Sequence, residues 1–279
     1  METTRLFFIR YPGGKQRMGN CIMPCLPRKA SIRGRFVEPF LGGGAVFFLL
    51  KPERALLADL NEELITLYRG IKLFPKKVWK IFNSFPLTKE AYYQIRDAET
   101  DKTDIAFMAA RTLYLNRTCF KGMWRHNSNG QFNVGYGGQA RRWVISEDSL
   151  VEVCNRLCAA DLICSDFQPI IDMCVTGDFI FADPPYRPGE RELLHAHYVY
   201  DKFSFEEHGR LAYALQKATR RGVQWALTIS SHPDILQLYK GKRIIPFTKG
   251  TGKSPGILTE TPGEVLLCNY GEVSNEGIL

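Results

Sequence analysis

The chain has 279 residues, of which 45% are hydrophobic and 24% charged, and this is the composition of a globular protein with a sizeable core. No apolar run approaches the roughly 18 residues of a membrane span, and Met1–Arg10 lacks the features of a signal peptide, so we expect a cytoplasmic protein. The eight cysteines form no Cys-x-x-Cys pair, which argues against zinc. We therefore expect reduced, buried thiols and no metal.

The net charge of +8 is concentrated in one segment of the chain. Residues 66–145 hold 14 lysines and arginines against 5 acidic residues, and Ile105–Ser146 holds no acidic residue at all. A solvated face normally mixes both signs, because like charges repel. With its interspersed aromatic residues, this segment predicts a surface that lies against the phosphates and bases of a nucleic acid. A basic surface without a partner is the alternative.

The beginning of the chain alternates predicted strands and helices. Arg35–Glu38 is a predicted strand, followed by a glycine turn and an apolar helix from Ala45. Arg54–Ala58 is a second strand, followed by a helix over Asn61–Lys72. Strand, helix and strand in this order predict a parallel sheet.

The middle of the chain has a different pattern. Residues 73–118 are mostly helical, most clearly over Ile105–Leu115. Residues 119–145 are rich in glycine, asparagine and aromatic residues, which predicts a hairpin or a long functional loop.

The sheet pattern then returns, and Ser204 with Glu207 forms a capping box that opens a helix reaching about Arg220. The predicted strands of this part are Asp161–Cys164, Asp178–Ala182, Val223–Ile229, Arg243–Phe247 and Glu264–Tyr270. We therefore predict an α/β domain over residues 1–65 and 146–279, interrupted by a basic insertion over residues 66–145.

The first chemical motif is Glu38-Pro39-Phe40-Leu41-Gly42-Gly43-Gly44, between a strand and a helix. Glycines at the carboxyl end of a strand let the backbone approach a ligand closely. Asp59 ends the next strand, 21 residues after Glu38, where an acid accepts hydrogen bonds from ribose hydroxyls. The two features predict an adenosine-type ligand without choosing between a dinucleotide and a methyl donor. A purely structural turn, and a helix N-cap for Asp59, are the alternatives.

The second motif is Asp183-Pro184-Pro185-Tyr186, which follows an apolar strand. The prolines remove two amide donors and leave carbonyls that only accept hydrogen bonds. A carboxylate and a carbonyl that accept the two N–H groups of a nucleobase amine would free its lone pair for attack on a sulfonium methyl group. Tyr186 offers an aromatic face to a base swung out of the duplex. The motif therefore predicts methylation of an exocyclic amine.

A third motif, Tyr11-Pro12-Gly13-Gly14-Lys15, leads into a predicted helix. A lysine at a helix start can meet a carboxylate, such as the methionine end of a cofactor. A solvated lysine beside a plain turn is the alternative.

The order of these motifs over nearly the whole chain resembles the Dam-like (D12 class) DNA adenine methyltransferases. The stretch from Tyr114-Leu115-Asn116-Arg117 to Phe132-Asn133-Val134 is similar to the recognition hairpin of that family. The resemblance implies a Rossmann-like methyltransferase sheet with an inserted, mostly helical target-recognition domain. It also implies methyl transfer from S-adenosylmethionine to the N6 amine of a flipped adenine in double-stranded DNA.

The resemblance assigns roles residue by residue. The catalytic positions are Asp183, Pro184, Pro185 and Tyr186. The cofactor positions are Tyr11, Gly14, Lys15, Glu38, Phe40, Gly42, Gly44, Asp59, Asp166 and Asp183. The DNA-binding positions are Asn116, Arg117, Lys121, Trp124, Arg125, Asn127, Asn133 and Tyr136, with Arg125 as the expected guanine contact.

Two residues depart from the family pattern. Lys121 stands where Dam-like enzymes commonly carry Asn, and Gly135 where they often carry Pro, so GATC is only the first target to test. Methylation of cytosine N4, RNA or a protein glutamine, DNA binding without catalysis, and an NAD-linked oxidoreductase are the competing functions. We expect a monomer that acts on double-stranded DNA, either alone or beside a restriction endonuclease.

Overall fold

The computed structural model describes residues 6, 8–99, 101, 103–127, 130–138, 145–185, 203–247, 250–251, 258–259 and 263–271. The chain forms two compact units. The first unit comprises Met1–Gly14 and Asn61–Cys164, and the second comprises Lys15–Leu60 and Ser165–Leu279. None of the described helices is long and apolar enough to cross a membrane.

The helices and strands alternate in the second unit, whereas the first unit is mostly helical. The α-helices are α1 (Gly19–Ile22), α2 (Ala45–Leu50), α3 (Glu62–Leu73), α4 (Pro75–Ser84), α5 (Lys89–Asp97), α6 (Ile105–Thr118), α7 (Glu147–Leu157), α8 (Phe167–Asp172), α9 (Phe205–Arg220) and α10 (Pro233–Gln237). The strands are β1 (Phe36–Glu38), β2 (Ala55–Asp59), β3 (Ala160–Cys164), β4 (Phe179–Ala182), β5 (Gln224–Ser230), β6 (Arg243–Pro246), β7 (Gly250–Thr251), β8 (Leu258–Thr259) and β9 (Glu264–Cys268).

The sheet of the second unit has its strands in the order β2-β1-β4-β5-β9-β6. The strands from β2 to β5 are parallel, whereas β9 runs antiparallel to both β5 and β6. Side chains of β1, β4 and β9 are buried along the whole strand, which is typical of a sheet covered on both faces. The predicted α/β sheet is confirmed, and the carboxyl ends of β1, β2, β4 and β5 lie at one edge, where such sheets bind ligands.

Side-chain caps explain where several helices begin. Ser204 accepts a hydrogen bond from the Glu207 amide at the start of α9, as the capping-box pattern predicts. At the start of α3 the cap is Asn61, which accepts from the Leu64 amide at 3.1 Å. The alternative in which Asp59 caps this helix is therefore wrong, and the Asp59 carboxylate makes a different contact described below.

The first unit packs its helices around α6. Buried side chains on every face of α6 contact α3, α4 and α5. The helix ends at Thr118, where the predicted helical stretch also ends, and Asn116 and Arg117 are helical and buried. After it, Cys119 bridges to Tyr136 and His126 to Phe132, both in antiparallel register, which confirms the predicted hairpin.

Candidate active site

Asp183 directly follows the fully buried strand β4, at the carboxyl edge of the sheet. Its Oδ1 lies 2.9 Å from the Lys15 ammonium nitrogen and accepts a hydrogen bond of 2.6 Å from the Thr228 hydroxyl. Thr228 belongs to β5, the parallel neighbour of β4, and is completely buried. Two donors on one oxygen fix the rotation of the carboxylate.

Lys15 lies between two acids. Its Nζ is 3.2 Å from Glu264 Oε1 at the start of β9, in addition to its contact with Asp183. The side chain is buried, which by itself would lower the pKa of Lys15, but the two carboxylates outweigh burial and the pKa is raised. Lys15 therefore stays positively charged inside the protein, and the carboxylates it meets belong to the chain itself.

The two prolines after Asp183 differ in exposure. Pro184 is buried and Pro185 is exposed, and neither has an amide hydrogen to donate. Tyr186, the predicted aromatic face for the base, lies outside the described residues.

The glycine turn after β1 is held by the end of β2. Gly42 and Gly44 have positive φ angles of 47° and 62°, which a side chain would strain. The Gly42 amide donates to Asp59 Oδ2 at 2.9 Å, and the Leu41 amide donates to the Ala58 carbonyl at 2.8 Å. These bonds place the Asp59 carboxylate beside the turn.

Glu38 is buried at the end of β1, with 2% of its surface exposed. Its carboxyl accepts a hydrogen bond from the Phe47 amide near the start of α2, but its Oε2 makes no hydrogen bond to any described residue. Burial, together with the negative charges of Asp183 and Asp59, raises the pKa of Glu38 well above its ordinary value.

An aromatic cluster lies next to the turn. The Phe40 ring is 5.2 Å from that of Phe167 and 5.7 Å from that of Phe203. Asp166, the residue before Phe167, accepts from the Gln168 amide at the start of α8 and pairs with Arg210 of α9 at 2.9 Å. The geometry therefore brings Phe40 and Phe167 together, and Arg210 orients Asp166.

The predicted residues of the first unit fall into two groups. Tyr11 and Trp124 pack ring to ring with centroids 5.8 Å apart, and the Tyr11 carbonyl accepts the Gly14 amide. The Asn116 side chain bonds both the amide and the carbonyl of Arg10, at 2.8 and 2.7 Å. The Arg117 guanidinium donates to the Phe8 carbonyl. These buried side chains hold the N-terminal segment in place.

The remaining predicted DNA-binding residues belong to the hairpin. Arg125 is half-buried, and its guanidinium donates to the side chain and the carbonyl of Asn133. Asn127 is exposed and bonds Gln131, and Lys121 is exposed with a positive φ of 54°. The Tyr136 hydroxyl donates to the Leu87 carbonyl.

Sequence reasoning missed Thr228, Glu264 and Arg210. Thr228 is the one hydroxyl within the apolar run of β5, and Glu264 is an acid at the start of the apolar strand β9. Both residues could have been noticed in the sequence, because a polar side chain in a buried strand needs a hydrogen-bond or ionic partner. Which partner it has depends on β4, β5 and β9 being neighbours, and the strand order is not visible in the sequence.

Comparisons with known proteins agree with this geometry. The family of D12 class N6 adenine-specific DNA methyltransferases matches residues 11–249. The Type II methyltransferase M1.LlaDCHI of Lactococcus lactis is 32% identical over 95% of this chain and 95% of its own length. The Type II methyltransferase M.MjaIII of Methanocaldococcus jannaschii is 29% identical over 94% and 98%.

The DNA adenine methylase of Haemophilus influenzae is also similar to this chain, with 31% identity over 81% of this chain and 79% of its own length. The family match spans the glycine turn, Asp59, the basic segment and the Asp183 motif. The chain therefore belongs to the D12 class of N6 adenine-specific DNA methyltransferases.

Proposed function

We propose that the cluster of Lys15, Asp183 and Thr228 is the active site, where the N6 amine of an adenine turned out of double-stranded DNA is methylated. The observation that carries this assignment is the position of Asp183. It follows the central strand β4, and Lys15 and Thr228 hold the same carboxylate oxygen. A carboxylate whose rotation is already fixed costs no reorganisation when the substrate reacts.

In this mechanism Asp183 and the Pro184 carbonyl accept the two N–H groups of the adenine amine. These hydrogen bonds draw the lone pair out of conjugation with the ring and point it at the methyl donor. S-adenosylmethionine, when bound, supplies an electrophilic methyl group on sulfur. Asp183 stabilises the positive charge that develops on N6, and the released proton passes to this carboxylate or to water. Tyr186 and Pro185 stay predicted contacts of the flipped base.

The second unit has side chains that suit an adenosine-linked amino acid. Asp59 lies beside the glycine turn, where a carboxylate can accept ribose hydroxyls. Glu38 is a buried acid with an oxygen that lacks a hydrogen bond among the described residues, which suits a cationic ligand. The residues of this unit that we assign to S-adenosylmethionine are Lys15, Glu38, Phe40, Gly42, Gly44, Asp59, Asp166 and Asp183. That Tyr11 and Gly14 also contact the cofactor is a separate prediction, which the family resemblance alone supports.

For DNA, we assign direct contact to the exposed part of the hairpin. Lys121 and Asn127 are exposed, and Arg125 is held by Asn133 in a fixed orientation, which favours recognition of a base edge. Asn116 and Arg117 are buried and bond the N-terminal segment, so we assign them a positioning role. We keep residues 66–145 as the DNA-recognition insertion and residues 1–65 and 146–279 as the catalytic domain.

Asp183→Ala tests the active site. Lys15 keeps Glu264 as a partner in this variant, so the protein should fold. We expect methyl transfer from tritiated S-adenosylmethionine to DNA to be lost and DNA affinity to stay close to wild type. Equal activity of the variant would refute the assigned role.

Nucleoside analysis of the labelled product distinguishes the substrates. Label in N6-methyladenine supports the proposal, whereas label found only in methylcytosine, RNA or protein contradicts it. Methylation-sensitive sequencing of DNA from an expressing cell would then identify the target site. A restriction endonuclease partner stays a prediction, as does the monomeric state, which sedimentation would test.

A further inference from the structure

The hairpin after α6 has two faces that differ in their side chains. Trp124 and Phe132 are buried, whereas Asn127 is exposed. Successive side chains of an extended chain point to opposite faces, so His126 lies on the face of Trp124. Its ring packs edge to face against Phe132, with centroids 5.8 Å apart. His126 therefore belongs to the inner face of the hairpin, and its two neighbours, Arg125 and Asn127, belong to the outer face.

Contacts across the hairpin agree with this division. His126 bridges Phe132 in antiparallel register, and the Arg125 guanidinium donates to the Asn133 side chain at 2.8 Å. Because the side chains alternate with a period of two, a shift of the chain by one residue would exchange the two faces. Whatever holds His126 on the inner face therefore also keeps Arg125 on the outer face.

Glu63 of α3 holds His126 on the inner face. Its Oε2 lies 2.8 Å from His126 Nε2, and about three quarters of each side chain is buried. A carboxylate only accepts hydrogen bonds, so the imidazole nitrogen is the donor. The returning half of the hairpin is held separately, by the Tyr92 hydroxyl of α5, which donates to the Val134 carbonyl at 2.8 Å. The half that carries Arg125 is thus tied to α3, and the other half to α5.

The position of this acid is unfavourable for DNA affinity itself. Ile105–Ser146 contains no acidic residue, and the negative charge beside His126 comes from α3. A carboxylate close to a phosphate-binding surface repels the phosphates. The plain alternative is that Glu63 only stabilises the first turn of α3, where acids are favourable. Glu62 lies in the same turn and shares that role, so it can separate the two explanations.

We infer that Glu63 determines the DNA sequence specificity of the enzyme without touching DNA. Through His126 it fixes the face of the hairpin on which Arg125 and Asn127 meet the bases. The inference rests on the proposed function, in which the exposed part of the hairpin contacts DNA. A guanidinium distinguishes a base edge by two hydrogen bonds of fixed geometry, so its orientation must be maintained. Glu63 and His126 are positioning residues in this account.

Glu63→Ala, made in the full chain, tests the inference. Fluorescence anisotropy gives the ratio of affinities for the target duplex and for duplexes with one changed base. We expect this ratio to fall about fivefold or more, the lower end of the discrimination that one base contact provides. Affinity for a duplex without a target site should not decrease, because the charge removed is negative. Glu63→Gln keeps an oxygen that can accept from His126 and should keep most of the discrimination.

Matched variants identify the origin of any loss. Glu62→Ala removes an exposed acid from the same turn of α3 and should discriminate as wild type does. His126→Leu should reproduce the loss seen in Glu63→Ala. The double variant should lose no more than either single variant, because the two residues act as one pair. An equal loss in Glu62→Ala would attribute the effect to the stability of α3 and would contradict the inference.

Thermal unfolding of each variant shows whether it is folded. Unchanged discrimination in folded Glu63→Ala would overturn the inference, and so would a loss confined to His126→Leu, which would mean that His126 contacts DNA itself. If Glu63→Ala does not fold, His126→Leu decides, and its discrimination must then fall. Absence of any base-specific loss in Arg125→Ala would instead contradict the proposed function of the hairpin, whatever the result for Glu63.

Discussion

At the scale of single residues, Thr228 and Lys15 orient the Asp183 carboxylate of the proposed active site. The Thr228 hydroxyl is completely buried and donates to Asp183 at 2.6 Å. Hydrogen bonds to charged groups are shorter and stronger than those between neutral groups. In the proposed mechanism, Thr228 is therefore a positioning residue, which would act on the substrate through Asp183.

Thr228→Val removes this hydroxyl and preserves the shape of the side chain. A hydrogen bond to a charged group contributes about 1.5–3 kcal/mol, so we expect the rate of methyl transfer to fall about ten- to hundredfold. Single-turnover rates at saturating cofactor and DNA would measure this effect. Thr228→Ser keeps the hydroxyl and should remain close to wild type, and a slow Ser variant would show that packing matters more than the hydrogen bond.

Glu264→Gln tests the charge on Lys15. Because the pKa of Lys15 is raised above 10.5, its ion pairs stabilise the fold below that pH, and this stabilisation is lost as the pH rises through the higher pKa of the folded state. Without Glu264 the pKa of folded Lys15 falls, so the alkaline loss of stability should be smaller and should end at a lower pH than in wild type. Breaking a buried pair costs about 3–5 kcal/mol, and Lys15 keeps Asp183, so the cost here should be smaller.

The free energy of unfolding in urea, measured between about pH 8 and pH 11, would follow this alkaline loss of stability. This pH range brackets the ordinary pKa of lysine. Lys77→Met is a suitable control, because Lys77 forms an exposed pair with Asp104. In this control the loss of stability at alkaline pH should be the same as in wild type. If Glu264→Gln loses stability at alkaline pH as wild type does, Asp183 alone keeps Lys15 charged.

At the scale of elements, the hairpin combines a fixed arginine with exposed polar side chains. Arg125 is oriented by Asn133, whereas Lys121 is exposed on a tight turn. Arg125→Ala should cost about 1–3 kcal/mol in binding of the target duplex and relax the choice of base at one position. Lys121→Ala should weaken all duplexes alike and reduce the salt dependence by about one phosphate contact.

Fluorescence anisotropy with the target duplex and with single-base variants of it would separate the two effects. A uniform loss for Arg125→Ala would show that this residue contacts the backbone of DNA. A base-specific loss for Lys121→Ala would show the reverse, and would explain why the residue departs from the family pattern.

The elements themselves were largely predictable, because their signals are local. Apolar periodicity located β4, and Ser204 marked the first turn of α9. The end of α6 agrees with the helical stretch predicted to residue 118, but the burial of Asn116 and Arg117, which were assigned to DNA, was not predictable. Their burial depends on the segment around Arg10, more than 100 positions away in the chain.

At the scale of the whole molecule, the charges divide into two kinds. We propose that the excess of lysine and arginine in residues 66–145 supplies the sequence-independent part of DNA affinity, whereas the charges around Asp183 are mostly buried. Salt screens exposed charges far more than buried ones. DNA binding and cofactor binding should therefore respond to salt differently.

Raising the salt from about 50 to 200 mM should weaken binding of a duplex without any target site by orders of magnitude, because each phosphate contact releases counterions. Affinity for S-adenosylhomocysteine should change much less over the same range. Anisotropy and calorimetry measure the two affinities on the same protein. A comparable loss for both ligands would contradict the buried setting that we assign to the cofactor.

The sequence by itself determined the α/β class, the family, the basic segment and the residue types of the proposed active site. Each of these depends on local order: the glycine turn after one strand, Asp59 after the next, and Asp183 after a third. The tertiary structure alone decided that Thr228 joins Lys15 at Asp183, that Glu264 pairs with Lys15, and that Glu38 is enclosed with an oxygen lacking a hydrogen bond among the described residues. These contacts join residues far apart in the chain, and strand order and burial, which create them, are collective properties of the packed fold.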